Sequence, residues 1–238
     1  MKKSKLLLAV LLSGLTFSCS LDPEIEPNVS LTEEEAVEII EGFLAEKSAG
    51  MEETTSEYAR TYQEEISLNV QCNQQIADSY YFTNNGSVVQ ADYKYNWNFT
   101  LNCSGLSVPQ SAVFSSTGSG TYTTARIASD DSSTFTATVT GLQPSSSTMI
   151  FNATYQREGT QQLTTNQNTR SLSSDFNASI VDLIIGKSDF EVESGTGSFT
   201  LSGSTNQGNF NYDGSLVFNG DNTATITING NQYTIDLN

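Results

Sequence analysis

From Ala91 the chain alternates apolar and polar residues without a break for thirteen positions. Ala91, Tyr93, Tyr95, Trp97, Phe99, Leu101 and Cys103 share one parity, and Asp92, Lys94, Asn96, Asn98, Thr100 and Asn102 take the other. Successive side chains of a strand point to opposite faces, so a period of two describes a strand with one face against a core and one in water. Ile66, Leu68, Val70 and Cys72 alternate in the same way. Downstream, short runs rich in Thr, Val, Ile, Phe and Tyr recur between turn residues. They predict strands over 111–117, 120–127, 133–140, 148–156, 160–165, 174–184, 189–193, 196–202, 208–212, 215–219, 223–228 and 231–237.

The turn chemistry predicts how these strands connect. Asp213-Gly214 and Asn229-Gly230 are dipeptides of tight hairpins, and Asn219-Gly220-Asp221-Asn222 marks another turn. Only Gly141–Ser147 reads as a longer loop. Strands do not alternate with helices, which excludes a doubly wound α/β fold. The expected class is all-β: an antiparallel meander, sandwich or barrel-like sheet over residues 66–238, with one amphipathic helix on its N-terminal side.

That helix is expected over 31–48, within a helical leader of 31–65. Ser30 followed by Glu33 has the form of a capping box, and Glu33, Glu34 and Glu35 suit the positive end of the helix dipole. Ala36, Val37, Ile40, Phe43 and Leu44 recur at helical spacing, Lys47 sits in the last turn, and Gly50 is placed to end the helix. The apolar stripe is expected to pack on the sheet.

Charge and residue types narrow the function. Lys2, Lys3 and Lys5 lie in a positive N-terminal stretch with no acid. Without that stretch the formal charge moves from −17 to −20. Such a surface repels nucleic acid, so a nucleic-acid partner is excluded. The chain has no histidine. This removes Ser–His–Asp and Cys–His catalysis and the common zinc sites. Carboxylates remain as candidate catalytic groups: Asp92 near Trp97, Asp130 with Asp131, and Asp189, Glu191 and Glu193. The last three read as a solvated strand face and the pair Asp130-Asp131 as a turn. Asn209–Gly214 copies the first positions of a calcium loop, but the twelfth is Gly220 rather than Glu, so a strand and hairpin are expected there. No metal or cofactor is expected. Tyr93, Tyr95 and Trp97 either share the inward face with Phe99 and Leu101, or form an exposed strip able to stack on sugar rings or cover a lipid-like ligand.

The first residues divide as a secretory signal does: lysines, a short apolar core at Leu6–Leu12, then Ser18-Cys19. Leu15-Thr16-Phe17-Ser18-Cys19 resembles the lipobox of bacterial lipoproteins, with Thr16 where leucine usually stands. The resemblance implies that residues 1–18 are removed as a signal peptide and that Cys19 carries acyl chains. Residues 19–30 then form an acidic tether. In that family a serine after the cysteine disfavours inner-membrane retention, so Ser20 implies the outer membrane, on its periplasmic face or at the cell surface. The layout as a whole resembles small β-rich lipoproteins of Gram-negative bacteria. Cys72 and Cys103, left as an even pair in an oxidising compartment, are expected to form a disulfide. The expected role is a non-enzymatic structural or interaction module of the cell envelope, partnered by the membrane through its anchor and by an envelope protein or glycan. The alternatives are a surface protein binding a glycan or lipid-like ligand, and a carboxylate-based glycosidase.

Overall fold

A computed structural model describes residues 30–67, 71–105, 108–165 and 168–238. The signal, Cys19 and most of the tether lie outside the described residues. Among these residues two α-helices come first, α1 (Glu33–Leu44) and α2 (Met51–Ser67), joined by a 3-10 turn at Glu46–Ser48. Ten strands follow: β1 (Gln75–Asn85), β2 (Gln90–Cys103), β3 (Pro109–Thr123), β4 (Ile127–Thr140), β5 (Thr148–Thr165), β6 (Asn168–Gly186), β7 (Val192–Thr205), β8 (Gly208–Gly220), β9 (Thr223–Ile228) and β10 (Asn231–Asp236). They form one antiparallel sheet whose spatial order is the sequence order, β1 to β10. Of the architectures compatible with the alternation, the open meander is the one formed, and β1 and β10 are its edges.

The sheet wraps its apolar face around the helices. Asn84 on β1 donates to the Lys47 carbonyl, and the Glu46 amide donates to the Leu237 carbonyl just past β10, so the 3-10 turn touches both edges. Phe43 and Leu44 from α1, Tyr58 and Tyr62 from α2, and Tyr95, Phe99, Phe135, Tyr155, Phe176 and Ile226 from the sheet all belong to one buried core. Fully burying a large apolar side chain contributes about 1.5–3 kcal/mol, so the helix pair and the inner face of the sheet hold one another.

α1 starts two residues later than the sequence pattern suggests. Thr32 is the N-cap, and it exchanges hydrogen bonds with Glu35. Ser30 instead donates to the Asn209 carbonyl on β8, and Glu33 accepts from Asn229, Asn231 and Tyr233 around the β9–β10 turn. Tertiary partners took the side chains that a local cap would have used. The helix also ends earlier, at an extended Ala45. Gly50 opens α2 rather than closing α1.

The second helix corrects the expectation of a single one. α2 is rich in Thr, Ser and Glu, so its apolar stripe is thin, yet most of its described side chains are buried. Thr54 and Thr55 turn their hydroxyls back onto the carbonyls of Gly50 and Met51, four residues earlier, which lets polar side chains enter a core. Tyr58 stacks on Phe114 with ring centroids 4.8 Å apart. Ile66, expected at the start of a strand, lies in α2. Leu68 and Val70 lie outside the described residues. The first strand is Gln75–Asn85 instead.

Several expected turns are strand interiors. Asp213-Gly214 does not turn: β8 runs straight through it, and Gly214 pairs with Phe199 on β7. A Cβ at Gly214 would collide with the Thr227 carbonyl oxygen and stand 2.7 Å from the Phe199 ring, so the glycine answers a close approach rather than a bend. Gly118 likewise faces Tyr95 and merges two expected strands into β3. Asp130-Asp131 lies inside β4 rather than in a turn. The hairpin at Asn229-Gly230 is present, with φ of 49° and 86° at the two residues.

Cys72 and Cys103 are bonded, with Cα atoms 5.6 Å apart. Cys103 ends β2 as expected. Cys72, however, sits in the turn before β1 rather than in a strand, and the neighbouring Asn73 amide donates to the Leu101 carbonyl.

Candidate functional site

Parity places one arginine on the inner face of the sheet. Met149, Phe151, Ala153, Tyr155 and Arg157 alternate along β5, so Arg157 points where Tyr155 points and is fully buried. On β4, Asp131 shares the inward parity of Phe135, Ala137 and Val139. Arg157 Nε donates to Asp131 Oδ1 at 2.8 Å, and Nη2 donates to Oδ2 at 3.2 Å. The remaining guanidinium protons reach the helix turn: Nη1 to the Ala49 and Gly42 carbonyls at 3.2 and 3.4 Å, and Nη2 to Ser48 at 3.2 Å. The Tyr93 hydroxyl accepts from Arg157 and donates to Asp131. Tyr95 donates to the Ala49 carbonyl at 2.7 Å. Phe43, Tyr93 and Tyr122 present ring faces to the guanidinium, with centroids 5.0, 4.9 and 5.2 Å away.

A charge with no water needs a partner and hydrogen bonds. Burial works against the Arg157 charge, but Asp131 and the surrounding tyrosines outweigh it and raise its pKa above the ordinary value. Burial first, and Asp131 next among the influences that act with it, keep the Tyr93 phenol protonated far above its usual range, although Arg157 pulls the other way. Ser129 donates to Asp131, Gln161 to Ser129, and Ser174 to Gln161. The cluster is sealed and neutralised, so its chemistry is positional: it clamps residues 42–49 to the sheet.

A second buried polar feature lies beside the clamp. Glu52 and Glu53, in the first turn of α2, are 5% and 6% exposed. Burial, then Glu46, Asp236 and other nearby acids, push Glu52 up to about 8. Burial, then Glu57 and Glu46, push Glu53 up to about 7, with Arg60 opposing. Glu52 Oε2 has no hydrogen-bond partner among the described residues. No group of three acids or cysteines among the described residues is placed to hold a metal ion.

The outer face of the sheet is chemically different. Cross-strand neighbours Thr154, Ser179, Ser198, Ser215 and Thr227 form one row over β5–β9. Gln156, Asn177, Thr200 and Asp213 form the next over β5–β8. Strands lie about 4.8 Å apart, so five of them carry a hydroxyl row about 19 Å long. Both rows line an open trough of about 880 Å³, in which Asp213 is the one charged residue among the described residues.

The residues singled out in the sequence are dispersed by this geometry. Tyr93 and Tyr95 are each 1% exposed and are used in the core and the clamp, while Trp97 is half-buried against that core. The three form no exposed strip, and the helices occupy the space inside the sheet. Asp92 is exposed and Asp131 is paired to Arg157, so neither Asp92 with Trp97 nor Asp130 with Asp131 forms an open carboxylate pair. Asp189, Glu191 and Glu193 are exposed as expected, although Asp189 and Glu191 lie in the β6–β7 loop rather than in a strand. Sequence motifs do not single out Arg157 or Glu52. Counting parity along β4 and β5 puts opposite charges at Asp131 and Arg157 on the inner face, and that is the signal by which the pair could be found. Comparison with family models, curated proteins and solved structures returns no match.

Proposed function

We propose that the protein is a non-enzymatic interaction module of the cell envelope, held at the outer membrane by acyl chains on Cys19, and that its outer sheet face holds a neutral, hydroxyl-rich glycan. The observation that carries this reading is the trough: rows of Thr, Ser, Asn and Gln at strand spacing, with a single acid among them. Hydroxyls and side-chain amides both donate and accept, which matches the hydroxyls of an uncharged sugar polymer. The acidic surface opposes an anionic one. Tyr93 and Tyr95 are closed to a ligand, because the helices and the Arg157 clamp pack against them. Ten residues lie between Cys19 and Ser30, eleven Cα-to-Cα steps in all. Extended, they reach at most about 40 Å, so the domain would stand near the bilayer while its trough stayed accessible.

The test applies full-length protein in detergent to an array of neutral glucans, mannans and galactans alongside anionic polysaccharides. The expected result is retention on a neutral glycan and a loss of at least about tenfold in the double variant Ser198→Arg, Ser215→Arg, which sets two long side chains in the trough. Retention on no neutral glycan, or unchanged retention by the variant, would remove the proposal. Release of new reducing ends would put the glycosidase in its place.

A further inference from the structure

Next to α1 the packing leaves a space. The helix, the 3-10 turn and the β1–β2 and β3–β4 turns enclose a cavity of about 220 Å³. That is room for about seven waters at ~30 Å³ each. Tyr122 lines it, is 1% exposed, and has a hydroxyl without a hydrogen-bond partner among the described residues. Leaving a buried hydroxyl unsatisfied costs about 1–3 kcal/mol. The hydroxyl lies over Gly42, where a Cβ would collide with it, so glycine at this helix position keeps the floor clear. Val88, Val89 and Ile127 supply apolar wall, and Val88 is 75% exposed at the β1–β2 turn.

The polar wall is acidic. Glu38 is matched by Arg126 at 2.9 Å. Glu41 faces like charges: Asp236 and Glu38 act on it electrostatically, and the Asp236 backbone amide is its hydrogen-bond donor. Lys47 also lines the cavity. The cavity therefore combines an under-compensated carboxylate, an orphan phenol and a small apolar wall.

We propose that this cavity binds a small primary amine with a compact apolar body, the ammonium on Glu41, the Tyr122 hydroxyl accepting a further N–H, and the body against Val88, Val89 and Ile127. Burial, then Asp236 and Glu38, raise the Glu41 pKa. Glu41 makes no ion pair among the described residues, so an arriving ammonium supplies a counter-charge, and the acidic protein draws cations toward the site.

The test titrates cyclohexylamine into full-length protein in detergent, read by saturation-transfer NMR, with cyclohexanol as the uncharged analogue. Cyclohexylamine should bind saturably and at least about tenfold more tightly than cyclohexanol. Glu41→Gln should weaken it about tenfold. Tyr122→Phe should weaken it about three- to tenfold, the range of one hydrogen bond. Val88→Lys, a change at an exposed position, should abolish binding by putting an ammonium at the mouth. Glu191→Gln, away from the cavity, should leave affinity unchanged. Absence of saturable binding, equal binding of cyclohexanol, or equal losses in Glu41→Gln and Glu191→Gln would each overturn the proposal. An unchanged affinity in Tyr122→Phe would remove the phenol from it.

Discussion

Replacing Glu52 by Gln should leave stability near that of the parent in mild acid and raise it progressively as pH rises. Glu52 carries a folded-state pKa of about 8 against an ordinary value of 4.5. Below the ordinary value the carboxyl is protonated folded or unfolded, and its ionisation costs nothing. As pH rises the unfolded chain ionises first while the folded chain still holds the proton, so stability falls until the folded pKa is passed. Each pH unit crossed between the two values costs about 1.36 kcal/mol, so the penalty is about 1.4 kcal/mol near pH 5.5 and about 4.6 kcal/mol near pH 8.5. Gln removes the charge but leaves a buried amide beside the same acids, which takes back about 1–2 kcal/mol of that gain. Urea unfolding of both proteins at the two pH values should give a gap that widens by about 3 kcal/mol. At about 2–4 °C per kcal/mol, Tm should part by a further 6–12 °C or so. A gap that does not change with pH, or a variant less stable at both values, would refute the assignment of a buried, proton-holding carboxyl.

Arg157→Met should destabilise by about 3–5 kcal/mol in urea unfolding, because it strands Asp131 without a counter-charge; adding Asp131→Leu should recover part of the loss, and additive losses would contradict the clamp. Thiol labelling of denatured, unreduced protein should find neither Cys72 nor Cys103. Reducing their bond, which spans 31 residues, should cost about 4 kcal/mol on chain-entropy grounds, and no change in the urea midpoint would count against it. Cys19→Ala should move the protein out of the detergent phase on phase partitioning, and incorporation of labelled fatty acid by that variant would refute acylation at Cys19.

Parity made the sheet legible because each strand has one wet face and one dry face. It carried through β2 almost residue by residue, and found the later part of β4 and the middle of β6. It failed where a small residue answers a large one: Gly214 beside Phe199 and Gly118 beside Tyr95 look like punctuation in one dimension and are packing in three. α2 escaped for the opposite reason. Buried on several sides, it needs no sharp apolar stripe, and its threonines satisfy themselves on their own helix. Asp130-Asp131 misled because adjacent acids suggest solvent on both sides, whereas a strand sends them to opposite faces and gives one of them to Arg157. The trough was not legible at all, since the residues of each row come from separate strands and only register brings them together.

The serial strand order bears on how the chain assembles. Every strand pairs with a neighbour in sequence, so hairpins can form one after another with short loops to close. The clamp follows another schedule. Arg157 grips carbonyls 108 to 115 residues earlier in the chain. The helices are therefore made first and secured late. Until β5 arrives, the turn at 42–49 lacks the guanidinium that fixes it, and the early hairpins have only a loosely held hub to curl around. A chain cut after β4 should keep its hairpins and lose its centre.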